Sequence, residues 1–470
     1  MGAGARSVGR MSNLFRPYSQ DQRLLLPPDM REWLPEGDLA LFISDVVDAL
    51  DLSAIYRAYE RVDGRGQAAY HPAMMVKLLL YGYCTGVPSS RKLEQATYRD
   101  VAFRVLAGDQ HPDHDSIAAF RQRHLPALAD LFSQVLRLCH EAGLVKLGHV
   151  ALDGTKVKAN ASKHKAMSYA RMEQTEARLA QEVRQLLDEA QRVDAAEDAE
   201  YGRGRRGDEL PAELARRESR LAAIRAAQAA LEAEAQAKAA HEATAAQDKV
   251  AAQAQREGSA KGRPVTVPDP AQARPSPTAQ YNFTDPESRI MKDGATKAFV
   301  QAYNAQVAVD GHAQVIVACE LTQAAPDVAQ LLPLLDQVEA NTGQRPAAVL
   351  ADAGYFSEAN ITLAQARGLD VYVPPDRGAH RAPDPSAMPT RAPKSPVAAA
   401  MREKLATATG RALYALRKSV VEPVLGQIKE GRGFRRFALR GVGKVGAEWR
   451  LICLTHNLLK LYRAGRVAAT

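Results

Sequence analysis

Two short runs of strand-forming residues each reach an aspartate followed by small residues, Val150-Ala-Leu-Asp153-Gly-Thr and Val349-Leu-Ala-Asp352-Ala-Gly. Apolar, β-branched runs of this length suit buried strands. In open α/β sheets, ligands gather at strand ends, where loops leave room. Asp153 and Asp352 are therefore read as closing two strands of one sheet. The long stretch between them must be set largely outside that sheet.

The elements around the two aspartates support this. The run Val145–Ala159 reads as a first strand that ends near Gly154. Phe299-Val-Gln-Ala-Tyr-Asn-Ala-Gln-Val-Ala-Val and Gln314-Val-Ile-Val-Ala-Cys-Glu read as two more, joined by the hairpin signal Asp310-Gly311. A helix over 328–339, the strand ending at Asp352, a short helix over 358–366, the strand Leu369-Asp-Val-Tyr-Val and a long helix from about Val397 or Arg411 follow. Three strands, helix, strand, helix, strand, helix is the order of a ribonuclease-H-like mixed five-stranded sheet with flanking helices. We assign it 145–165 and 280–465.

Helical pattern dominates 18–144. Pro72 opens one helix, Ser89 caps a second, and Asp115 or Ser116 caps a third. This region is read as one all-α N-terminal domain, preceded by a disordered extension over 1–17. Within 166–279, Met172, Leu179, Val183, Leu186, Ala190 and Val193 recur at helical spacing, as do Leu214, Leu221, Ile224 and Leu231. Glycines and a proline over 201–211 mark a reversal, so an antiparallel helical hairpin is expected. A loose linker is expected over 235–279, and a second, proline-rich one over 374–396.

The third acid of interest, Glu422, lies in the helical run Leu416-Arg-Lys-Ser-Val-Val-Glu-Pro-Val-Leu-Gly-Gln-Ile-Lys429. Alone, a strand-end aspartate is more often a turn residue, and Glu422 could be a solvated partner of Lys418. Its surroundings favour more. Pro423 follows it at a cost to helix bonding. Arg417, Lys418, Lys429, Arg432, Arg435, Arg436, Arg440, Lys444 and Arg450 outnumber Glu422, Glu430 and Glu448, with Phe434 and Phe437 interleaved. Such a segment suits a phosphate backbone. Lys429 lies two helical turns after Glu422, on the same face. Three carboxylates from two strands and a helix would suit two Mg²⁺ ions ~3.5–4 Å apart acting on a phosphodiester.

These motifs, with Gly433-Phe-Arg-Arg-Phe and Thr455-His-Asn-Leu-Leu-Lys460, closely resemble those of bacterial insertion-sequence transposases of the DDE class. The resemblance covers most of the chain and implies that the all-α region over 18–144 is an N-terminal DNA-binding domain. It implies that Asp153, Asp352 and Glu422 bind two Mg²⁺ ions, with Mn²⁺ as a substitute. Tyr414, Arg417 and Lys429 fall at the family's Tyr-Arg-Glu-Lys signature, whose basic members hold DNA. Four residues separate Arg417 from Glu422 where the broad pattern has three, so Lys418 competes with Arg417 for that position. The implied substrates are double-stranded terminal inverted repeats and target DNA, and the implied active complex is a homodimer. The activity would be metal-dependent end cleavage followed by attack of the 3′-hydroxyl on target. The alternatives are a ribonuclease-H-like nuclease that does not join, and a catalytically silent DNA-binding relative.

Other features carry less. Asp285, before the second strand, is read as a turn residue. His111-Pro-Asp113-His114-Asp115 fits no standard zinc spacing. Arg121 and Arg123 on the third helix, and the turn holding Arg203, Arg205 and Arg206, are candidate DNA contacts. A net charge of +8 accords with a polyanion partner without proving one. Cys84, Cys139, Cys319 and Cys453 form no C-x-x-C pair and are expected to be buried thiols. No apolar run approaches the ~18 residues of a membrane span, and residues 1–10 lack a signal-like core. A cytoplasmic setting, with the nucleoid, is expected.

Overall fold

A computed structural model describes residues 29–59, 69–201, 212–254, 266–294, 296–376 and 395–468. The expected extension over 1–17, the turn with Arg203, Arg205 and Arg206, and much of the second linker lie outside these residues.

The N-terminal region is helical: α1 (Leu39–Ala49), α2 (Ser53–Tyr56), α3 (Pro72–Thr85), α4 (Ser90–Arg99), α5 (Val101–Ala107) and α6 (His114–Glu141). Pro72 opens α3 where a missing N–H costs nothing. The cap of α6 is Asp113, whose carboxylate accepts from Ser116 N at 2.8 Å, rather than Asp115 or Ser116.

The sheet is built from β1 (Val150–Lys158), then, after the short β2 (Ala166–Ser168) and β3 (Gln280–Asn282), from β4 (Arg289–Lys292), β5 (Phe299–Asp310), β6 (Ile316–Thr322), β7 (Val349–Leu350) and β8 (Val371–Tyr372). β5 pairs antiparallel with β1 on one side and with both β6 and β4 on the other. β7 and β8 continue parallel beyond β1. The order β6-β5-β1-β7-β8 is the expected ribonuclease-H-like sheet, with β4 as an added short strand.

The insertion forms α7 (Tyr169–Tyr201) and α8 (Ala212–Ala254), packed through Met172, Leu179, Leu221, Ile224 and Leu231. The loose linker expected from residue 235 is helical as far as Ala254: its Ala, Gln and Lys residues are good helix formers even with few apolar contacts. β2 and β3 pair antiparallel and close the base of the hairpin.

The remaining helices are α9 (Leu331–Thr342), α10 (Glu358–Ala366), α11 (Pro396–Ala406), α12 (Ala408–Gly426) and α13 (Val442–Ala468). α13 is buried between the sheet and the N-terminal helices. Its Asn457 side chain exchanges two 2.8 Å bonds with the Ile316 backbone, while the Asn457 carbonyl accepts from Cys139 of α6. One continuous hydrophobic core runs from α1 to α13 through the sheet.

Candidate active site

β1 does not end at Asp153, as its sequence suggested. It pairs with β5 through Lys158, but its parallel pairing with β7 stops at Ala151–Leu350. Asp153 therefore sits where β7 leaves β1 without a neighbour on that side. Asp352 follows the end of β7 by two residues and stays near enough for its charge to act on Asp153. Asp352 then turns the chain, its Oδ1 accepting from Gly354 N at 2.8 Å.

Arg417, reaching from α12, places Nη1 3.3 Å from Asp153 Oδ2, while Gly154 N donates to Oδ1 at 2.8 Å. Burial pushes the Asp153 carboxyl up to about 6. Arg417 opposes that shift, and the charges of Asp352 and Asp327 add to it. Burial also works against the Arg417 charge, but Asp153, Tyr414, Asp352 and Glu422 hold it protonated. Tyr414, half-buried beside Arg417, has its phenol raised by burial. The Arg417 Nε is buried and has no hydrogen-bond partner.

Asp327 belongs to this cluster and was not singled out from sequence. It precedes α9, and its Oδ1 accepts from Asn304 at 2.6 Å, Gln306 at 2.7 Å and Lys156 at 3.3 Å. Asn304 and Gln306 lie opposite Lys156 and Gly154 in the β1–β5 register. Asp327 folds so closely over Gly154 that a Cβ there would stand 2.6 Å from Oδ1. Tyr355 closes the inner wall, bonded to the Gln306 side chain. Its phenol is raised well above its usual value by burial and then by Asp327, Asp153 and Asp352. Nothing in the local sequence marks Asp327, because only the sheet register brings it here.

Glu422 lies on the exposed side of α12, close enough for Arg417 to feel its charge. Among the described residues, no three His, Cys, Asp or Glu side chains converge tightly enough to hold an ion between them. The helix is irregular here. Pro423 cannot donate to Ser419 O, and the Gln314 side chain does so instead at 2.9 Å. A π-helical turn follows over Gln427–Gly431. Local π-helix is frequent at functional sites. Within it, Lys429 Nζ donates to Thr155 Oγ1 at 3.0 Å, two residues along β1 from Asp153.

The other basic candidates divide. Lys418, Arg435, Arg436 and Arg440 are exposed, with Arg435 paired to Glu430 and Arg440 Nε donating to Asn160 O at 2.9 Å. Arg123 is exposed and stacks 5.7 Å from the Tyr59 ring centroid. Two are corrected. Arg121 is buried and donates to Pro88 O at 2.7 Å, so it braces the helical region. Arg432 is turned inward, donating to Thr455 Oγ1 at 2.8 Å, and burial lowers its pKa to about 10. Both sit on surfaces that pack inward, which charge runs in sequence do not reveal. Asp285 is also structural: fully buried, it accepts from Tyr303 Oη at 2.9 and 3.0 Å. His114 pairs with Glu94 and His111 meets Thr97, which leaves the His/Asp run as part of a helix junction.

Comparison with known families gives two matches. A model described as a transposase domain matches residues 28–123, and one described as a transposase DDE domain matches 264–458. The second match contains Asp352, Glu422 and Lys429, and Asp153 lies between the two. No curated protein and no solved structure matches the chain.

Proposed function

The chain belongs to the DDE transposases of insertion sequences, and from that membership we propose that it cleaves DNA at transposon ends and joins the freed 3′-hydroxyl to target DNA. The observation that supports this most is the meeting of Asp153 and Asp352 at the gap where β7 parts from β1, under Arg417.

The donors fit a hard divalent cation. Asp153 and Asp352 offer carboxylate oxygens close together, and burial, with the charge of Asp352 adding to it, raises the Asp153 carboxyl to about 6. Asp153 and Asp352 would hold Mg²⁺ or Mn²⁺, with Glu422 as the third ligand in this reading. When bound, such ions supply Lewis-acid polarisation of a phosphoryl oxygen and a water of lowered pKa. The protein's own groups do the positioning. Arg417 balances the acid pair, and its unpartnered Nε is a donor still to be satisfied, as a phosphate oxygen would satisfy it. Lys429, anchored on Thr155, sets a second positive charge along the same strand. Tyr414, beside Arg417, limits how that guanidinium can swing.

Cleavage forms one P–O bond to water and breaks one to the leaving 3′-oxygen. Joining repeats the exchange, with that oxygen as nucleophile. The bond count is conserved and no protein–DNA covalent link is needed. Two copies of the chain would hold two ends together.

The test uses DNA carrying the element's own termini plus a target plasmid. Wild-type chain with Mg²⁺ should yield cut ends and joined products. Asp352→Asn should abolish both and leave DNA binding nearly intact, because the lost charge serves the ion and not the DNA. Cleavage by Asp352→Asn at the wild-type rate would remove Asp352 from the site. Cutting without joining would reduce the chain to a nuclease.

A further inference from the structure

A cleft of about 640 Å³ opens at the far end of β1, away from the aspartates. Its walls come from segments distant in sequence: the end of β1, the turn Lys163–Lys165, the start of β5, and the loop before α13. Lys158, Lys163, Lys165, Arg436 and Arg440 line it, and no carboxylate does. None of the five is in an ion pair among the described residues. Five like charges converging without counter-charge cost energy unless an anion is to be received.

At the mouth stands Phe299, 67% exposed, the most exposed large apolar side chain among the described residues. Phe299 opens β5 opposite Lys292, so its place is fixed by sheet pairing. A rigid exposed aromatic against a basic wall is the combination that holds unpaired nucleic acid: phosphates meet the cations and a base stacks on the ring. Phosphate alone would need only the cations; the exposed ring beside them is what favours a strand with a free base.

The cleft and the active site share one strand, β1. Lys158 is five residues from Asp153 along an extended strand, ~17 Å, or about five base pairs of duplex. Lys429 lies between them, and the Lys158 backbone is bonded on both sides to the segment carrying Arg436 (Lys158 N to Arg435 O at 3.1 Å, Phe437 N to Lys158 O at 2.9 Å).

We propose that this cleft receives a DNA strand separated from its complement a few nucleotides from the scissile phosphate, with Phe299 stacking on an unpaired base. The assignment rests on the reading of the chain as a DNA-cutting enzyme and deepens it by naming the form of DNA that the site takes.

The experiment measures binding of full-length chain by fluorescence anisotropy in chelator. The probes are a short blunt duplex of mixed sequence and the same duplex bearing a run of unpaired thymidines. The wild type should bind the second probe about tenfold more tightly, the scale of one base–aromatic stack. Phe299→Ala should erase that preference and leave the salt dependence unchanged; Phe299→Trp should keep the preference. Lys163→Ala with Lys165→Ala should weaken both probes and reduce the slope of log affinity against log salt by about two. All three positions are at the surface, and unchanged melting temperatures would show that the fold is kept. A preference that survives Phe299→Ala, a slope that survives the lysine pair, or equal wild-type binding of both probes overturns the proposal and leaves the enzyme assignment standing. Absence of binding to either probe overturns both.

Discussion

On a single carboxylate oxygen, Asp327 gathers the amides of Asn304 and Gln306 and the ammonium of Lys156. Those three donors form one face of the sheet beneath Asp153. Replacing Asp327 by alanine leaves them without their shared acceptor, at an expected cost of about 1–3 kcal/mol. Urea melts of Asp327→Ala against wild type measure this, and an unchanged midpoint would show that the network contributes nothing. His456 is a second case. Burial holds its imidazole near pKa 3, with Arg432 and Lys460 adding to the effect, and its Nε2 bonds to Gln314 O at 3.0 Å. The unfolded chain takes up that proton near its ordinary value of about 6.5. Between those two pH values the unfolded state holds more protons, so stability falls as pH falls. From pH 7.5 to 4.5 the loss from this residue is about 2–3 kcal/mol. His456→Gln lacks it, so the stability gap between variant and wild type should narrow by that amount across the range. A constant gap would show that His456 does not stay neutral.

Among the elements, the hairpin of α7 and α8 has its own small apolar seam, separate from the main core, and is closed at its base by β2 and β3. A short glycine-serine bridge replacing residues 170–278 should therefore leave the melting temperature of the rest within a few degrees. A fall large enough to unfold the core would mean that the hairpin supports it. At this scale the sequence was most informative. Periodicity gave the two insertion helices, Asp310-Gly311 gave the β5–β6 hairpin, and apolar runs gave β1 and β7. What it hid was non-local. Asp153 looks like a strand end because glycine and threonine follow it, whereas the strand continues and only its neighbour stops. Arg121 and Arg432 look like DNA contacts by composition, and packing turned them inward. Asp327 has no local mark at all. Asp153 and Asp352 were legible because each sits beside a strong strand pattern. Glu422 was marked by Pro423 and the cations around it.

Taken whole, the molecule shares one core between the N-terminal helices and the catalytic sheet. α13 lies between them, with Cys84 and Cys139 donating from the helical region to the carbonyls of Thr455 and Asn457 at 3.7 Å each. Arg432 adds a contact to the Tyr83 carbonyl of α3. The region read from sequence as a separate domain over 18–144 is continuous with the rest. Expressed alone, residues 1–144 should lack a cooperative thermal transition by circular dichroism, since the apolar faces of α3 and α6 lose their cover. A sharp melt from that fragment would sink the idea. The placement of α13 also bears on the order of events during synthesis. Helices made early, α3 and α6, are covered by a helix made much later, α13. A chain broken off upstream of α13 therefore leaves the apolar faces of α3 and α6 without cover, and is expected to be degraded rather than to persist as a stable fragment.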